Sequence, residues 1–197
     1  MTKKSAVEEK IVELKSSASG ESPVRRKGIY LLPNLLTTGA LFAGFYAVLS
    51  GFSGKYELAA IAIFTAMVFD GLDGRVARMT NTQSAFGVQY DSLSDMVSFG
   101  VAPAVVAYGW GVGDLGTLGL AAAFVYASCG ALRLARFNVQ AESSDNKVFT
   151  GLPSPAAAAL VAGVVWSTYS LEPSVGLSVL GAILTAVAGL LMVSNFK

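Results

Sequence analysis

Residues 70–95 read DGLDGRVARMTNTQSAFGVQYDSLSD, and the four carboxylates in that string decide what the rest of the chain has to be. Asp70 and Asp73 stand three apart and Asp91 and Asp95 four apart, so on helices each pair shares a face. Upstream, residues 58–69 are apolar except for Thr65; at a helical rise of about 1.5 Å per residue they reach about 18 Å, which sets Asp70 within the thickness of a bilayer. Carboxylates that close to hydrocarbon are costly unless a cation or a water-filled cavity holds them. At roughly 6 Å and an effective dielectric near 20, each close pair repels by about 3 kcal/mol. A divalent cation turns that repulsion into binding.

The remainder of the chain supplies the bilayer context. Of 197 residues, 53% are hydrophobic and 14% charged, with a mean hydropathy of +0.58, too little polar surface for a soluble domain. A net charge of +1 gives no argument for nucleic acid as a partner. Cys129 is the single cysteine and lies in an apolar stretch, so it reads as a small core residue and no intrachain disulfide forms. Histidine is absent, which removes imidazole catalysis and histidine-ligated zinc. Any general base is then a carboxylate, a lysine, a tyrosine or a water.

Six hydrophobic spans are expected, at 29–50, 56–78, 86–110, 116–138, 152–169 and 173–194, each near the ~20 residues that cross a ~30 Å hydrocarbon layer. Short connections rich in Gly, Ser, Pro or charge make neighbours antiparallel in an all-α, six-helix integral membrane bundle. Residues 6–15 place Val7, Ile11 and Leu14 on one stripe of a charged segment, the pattern of a short amphipathic surface helix. A cytosolic N-terminal segment, 1–28, is therefore expected before a transmembrane domain, 29–197, with Arg25, Arg26 and Lys27 at the lipid headgroups. Residues 1–27 lack the apolar core of a cleavable signal peptide.

Orientation follows from the basic residues. With the N-terminus cytosolic, seven Lys/Arg of residues 1–27 join Arg75, Arg78, Arg133, Arg136, Lys147 and Lys197 on that side, leaving only Lys55 outside. That bias places the four aspartates at the cytosolic end, facing the inner leaflet of the cell membrane. Abundant small residues, 21 of them glycine, permit close helix packing and make a homodimer plausible.

Around the carboxylates, Gly71, Gly74 and Gly87 leave room for a phosphate or a backbone to approach, and Arg78 offers a planar fork to phosphate oxygens. Oxygen donors without His or Cys favour Mg²⁺ or Mn²⁺ and suggest phosphoryl chemistry. The string 70–95, D-x2-D-G-x2-A-R-x8-G-x3-D-x3-D, resembles the signature of the CDP-alcohol phosphatidyltransferase family at every fixed position. The resemblance implies two divalent cations held by Asp70, Asp73 and Asp91, with Asp95 completing the metal site and accepting the proton of the incoming alcohol. Asp91 and Asp95 would form the catalytic pair. Asn34, Thr37, Asp70, Gly74, Arg78 and Gly87 would border the cytidine diphosphate group of a lipid-linked donor, CDP-diacylglycerol.

Residues 26–37 (RKGIYLLPNLLT), 131–138 (ALRLARFN) and 151–155 (GLPSP) resemble the bacterial and archaeal branch of that family that uses L-serine as the acceptor alcohol. Arg133 and Arg136, three apart at the end of the fourth span, have forks that can converge on one carboxylate; alternatively they anchor at the interface or grip a lipid phosphate. Within the same family, glycerol 3-phosphate or an inositol phosphate is the alternative acceptor. Pro33 and Asn34 are read as opening the first span, and Ser92, Ser94 and Ser98 as hydroxyls that serve helix packing. A transporter or channel needs a polar route across the bilayer, whereas spans one, five and six carry no Asp, Glu, Lys or Arg.

Overall fold

Apolar runs separated by turns of Gly, Ser and Asn give helices throughout the computed structural model, which describes residues 23–142, 151–171 and 174–194. In chain order these are α1 (Pro23–Phe52), α2 (Tyr56–Met79), α3 (Ala85–Asp95), a π turn (Met96–Val101), α4 (Ala102–Trp110), a 3-10 turn (Val112–Leu115), α5 (Thr117–Glu142), α6 (Ser154–Thr168) and α7 (Val175–Val193). Among the described residues, Leu32–Phe52, Thr117–Gln140 and Val175–Val193 are long and apolar enough to cross a membrane, and Ser154–Thr168 is a shorter apolar helix. The ionisable residues of α2 and the break between α3 and α4 keep those segments out of that set. The amphipathic stretch 6–15 and Lys147 lie outside the described residues.

Two expectations about element ends are corrected. Helix α1 begins at Pro23, so Pro33 sits inside it rather than opening it; proline at the first turn is favourable, and at Pro33 it removes one rung of the ladder. The third span is not one α-helix, because Met96–Val101 winds as a π turn in which the N–H of Ala102 reaches back five residues to the carbonyl of Val97. Asp95, Met96, Val101 and Ala102 all keep right-handed helical dihedrals, so the rod continues while its facing shifts by part of a turn.

Pro103 explains part of this. It has no N–H to give the carbonyl of Phe99, four residues back, and the fully buried Tyr126 hydroxyl of α5 donates to that carbonyl instead, at 3.0 Å. A buried carbonyl left unpaired would cost about 1–3 kcal/mol.

Small residues hold the helices together. Ala47, Ala59, Ala60, Ala66, Ala157, Ala158 and Ala162 are fully buried, and α1 packs most extensively on α2, as α5 does on α7. At Gly44 an added Cβ would collide with the backbone and side chain of Ser98, and at Gly189 it would stand 2.7 Å from Tyr126 Cα. At both positions backbones approach closely, which substitutes for hydrophobic drive within lipid. The large apolar side chains turn outward: Phe42, Phe45, Leu118, Phe124, Leu180 and Ile183 are each more than half exposed, as a lipid-facing surface requires.

Candidate active site

The link between α2 and α3 brings the aspartates together. Asn81 takes a left-handed conformation, φ 52°, which asparagine tolerates, and the Thr82 N–H closes back on the Ala77 carbonyl at 3.1 Å. Ser84 caps α3 by accepting from the Gly87 N–H at 3.0 Å. After this short reversal the carboxylate faces of α2 and α3 meet. One oxygen each of Asp70, Asp91 and Asp95 lie within 4.8 Å of one another, all three side chains half-buried. At that separation and an effective dielectric near 20, each ionised pair repels by about 3 to 4 kcal/mol. Asp70 and Asp95 are within hydrogen-bonding reach of each other.

Asp73 is placed differently. It is buried, its carboxylate accepts from the Thr37 hydroxyl at 2.6 Å and from the Gly74 backbone N–H, and its charge is felt at Asp91. Thr37 has one proton and two acceptors in reach, Pro33 O at 3.0 Å and Asp73 Oδ2 at 2.6 Å; the shorter bond to a charged acceptor is the stronger. The four expected carboxylates therefore divide into a triad and a fourth member tied to α1.

Ser94 and Ser98 are fully buried and donate to the carbonyls of Thr37 and Ala40, at 3.2 and 3.0 Å. They pin α3 and the π turn to α1, the packing role expected of them. Ser92 donates to Asn138 Oδ1 at 3.0 Å, and Asn138 to Gln89 at 3.3 Å, tying α3 to the end of α5.

The other expected residues lie around this end of the bundle. Gly71 and Gly74 have open space where a Cβ would stand, whereas one at Gly87 would lie 3.2 Å from Ser84 Oγ and 3.7 Å from Asn34 Oδ1. Asn34 is thus a neighbour of Gly87. Arg78 Nε donates to its own helix, to Gly74 O at 2.9 Å. Arg133 is half-buried on α5 and within electrostatic reach of Asp95, whereas Arg136, one turn on, is exposed. Arg133 Nη1 donates to Ser154 Oγ at 2.8 Å, while its Nε is buried without a hydrogen-bond partner. Sequence reasoning held Ser154 only as part of the 151–155 string and gave it no role of its own. Cys129 is a free, buried thiol of the core, as expected.

The donor chemistry fits hard divalent cations: three carboxylates from two helices, each offering an oxygen to a common point with neither sulfur nor imidazole.

An apolar helical protein with a carboxylate triad beside open glycines is built for phosphoryl transfer on a lipid-borne substrate, and the chain belongs to the CDP-alcohol phosphatidyltransferase family, whose model matches residues 30–193. Similar curated proteins include the CDP-diacylglycerol–serine O-phosphatidyltransferase of Helicobacter pylori strain J99, 41% identical over 172 residues that make up 86% of this chain and 72% of that protein. The enzyme of the same name from Methanocaldococcus jannaschii is 43% identical over 135 residues, 68% of this chain and 60% of that one. The archaetidylserine synthase of Methanothermobacter thermautotrophicus is 36% identical over 168 residues, 84% and 68% respectively.

Proposed function

We propose that this chain transfers the phosphatidyl group of CDP-diacylglycerol to the hydroxyl of L-serine, giving phosphatidylserine and CMP. The observation that carries this reading is the Asp70–Asp91–Asp95 triad with the Arg133 guanidinium in reach of Asp95: a site for cationic and phosphate chemistry next to a site for a carboxylate. The names of the similar proteins support serine as the acceptor.

In this reading Asp70, Asp73, Asp91 and Asp95 would hold two divalent ions, Mg²⁺ or Mn²⁺. What such ions supply when bound is withdrawal of charge from the pyrophosphate oxygens. Asp95 accepts the proton of the serine hydroxyl, the serine oxygen bonds to the lipid-linked phosphorus, and the bond from that phosphorus to CMP breaks. Asn34, Thr37, Gly74, Arg78 and Gly87 border the nucleotide; the open space at Gly74 and the nearness of Asn34 to Gly87 support this. Arg133, with Arg136 nearby, receives the serine carboxylate.

The finer architecture belongs to the same proposal. Six spans, counting α2, the α3–α4 rod and α6 with the three longer apolar helices, form a transmembrane domain over 29–197 after a cytosolic segment 1–28. N-terminus and site face the cytosol of the cell membrane. Two copies pair through small-residue helix faces, which cross-linking in native membranes reads directly.

The deciding experiment supplies purified protein with CDP-diacylglycerol, divalent metal and either L-serine or glycerol 3-phosphate, and measures CMP. Serine-dependent release that chelation abolishes is expected. Turnover with glycerol 3-phosphate alone would overturn the acceptor while leaving the family intact.

A further inference from the structure

The Arg133–Ser154 pair carries a role that the motif does not assign. Ser154 is the first residue of α6, between Pro153 and Pro155, and is only 1% exposed. A hydroxyl that enclosed needs a partner, and it has one: Arg133 Nη1, 2.8 Å away on α5. In a guanidinium Nη1 lies away from the edge formed by Nε and Nη2, so a bond at Nη1 leaves that edge for a planar, two-oxygen acceptor. The Nε of that edge is the buried polar side-chain atom without a partner among the described residues. Leaving such a donor unpaired is costly, and a carboxylate arriving beside Asp95 would satisfy it.

We infer that Ser154 is a positioning residue: its hydroxyl holds the Arg133 guanidinium so that the Nε–Nη2 edge meets the carboxylate of the acceptor amino acid. This rests on the serine reading above. Selection for an amino acid over a carboxylate-free alcohol then depends on a side chain from α6 that itself touches no substrate. Pro153 and Pro155, which fix the backbone on either side of Ser154, keep that hydroxyl in place.

The test uses the full chain with CDP-diacylglycerol and divalent metal, comparing Ser154→Ala and Ser154→Thr with the unaltered protein. Ser154→Ala is expected to raise the KM for L-serine roughly tenfold, to leave the KM for CDP-diacylglycerol within about twofold, and to narrow the preference for L-serine over 2-amino-1,3-propanediol, which lacks the carboxylate. Ser154→Thr, which keeps the hydroxyl, stays within about threefold of the unaltered protein on every measure. In an Arg133→Ala background, Ser154→Ala adds nothing to the serine KM. Should Ser154→Ala not fold, Ser154→Cys, of similar volume and weaker acceptor strength, is expected to show the same split between the two KM values. Equal rises in both KM values, a rise for CDP-diacylglycerol alone as a lipid-phosphate contact would give, no change, or an effect that persists without Arg133 would each overturn the positioning role. Absence of serine turnover in the unaltered protein would instead remove the functional reading beneath it.

Discussion

Thr37 on α1 donates a 2.6 Å hydrogen bond to Asp73 Oδ2 on α2, and this bond sets Asp73 apart from the oxygens that Asp70, Asp91 and Asp95 bring within 4.8 Å. The hydroxyl fixes how the Asp73 carboxylate is turned beside the triad, so in the metal-binding reading proposed above Thr37 orients a ligand rather than serving as one. Partners of this kind tune metal affinity by about 10- to 100-fold. Thr37→Val, of nearly the same shape, is expected to weaken Mn²⁺ binding by about tenfold, and Thr37→Ser to preserve it. Calorimetric titration without substrate reads the difference; equal affinities in all three proteins would refute the orienting role.

Asp95 meets the other members of the triad and the field of Arg133. Asp95→Asn keeps the shape but cannot take a proton, and general-base loss costs about 10²- to 10⁴-fold in rate. CMP release should fall by at least about a hundredfold while CDP-diacylglycerol still binds. Retention of more than a tenth of the activity would assign the proton to another group.

The proposed six-span arrangement predicts which turns face which side. With Cys129 replaced by alanine, a cysteine at Asn81, in the turn that serves the aspartates, should react with an impermeant thiol reagent only after the membrane is opened. One at Ser53, two residues before Lys55, should react in intact cells. Labelling of both from outside would break the antiparallel scheme.

How far the chain could be read from its residues depends on whether partners are near in sequence. The pairing of Asp70 with Asp91 and Asp95 was legible because helical spacing fixes each face and a turn near Asn81 and Ser84 leaves no other way for the faces to meet. The place of Asp73 was not, since its partner Thr37 is 36 residues away on another helix and a threonine in an apolar run carries no mark of direction. Pro33 misled by its usual place in a first helical turn, which Pro23 occupies here. The π turn left no periodicity to detect: the partner of its Phe99 carbonyl is a tyrosine on α5, 27 residues away. Helix boundaries in apolar segments drifted for the same reason, because lipid-facing and buried positions are alike in hydropathy.

Gly44 and Gly163 separate close packing from mere helix content. A Cβ at Gly44 runs into Ser98, whereas at Gly163 nothing lies within 4 Å. Gly44→Ala should drive α1 from the π turn, disturb the Ser98 bond to Ala40, and cost about 1–3 kcal/mol. Gly163→Ala should be neutral or stabilising by up to about 1 kcal/mol. Thermal unfolding in detergent compares them, and equal midpoints would deny that the α1 contact is tight.

Tyr126 tests whether the π turn is held from outside. Its hydroxyl gives the Phe99 carbonyl the donor that Pro103 lacks, in a fully buried position where water cannot substitute. Tyr126→Phe removes one oxygen and leaves the ring packed, so any loss belongs to the unpaired carbonyl, about 1–3 kcal/mol, read as a drop of several degrees in the unfolding midpoint. Because Asp95 immediately precedes the turn, kcat should fall with it, while the KM for serine, set at Arg133, should hold. A variant with an unchanged midpoint and unchanged kcat would mean that the π turn is fixed by the chain of α3 and α4 alone.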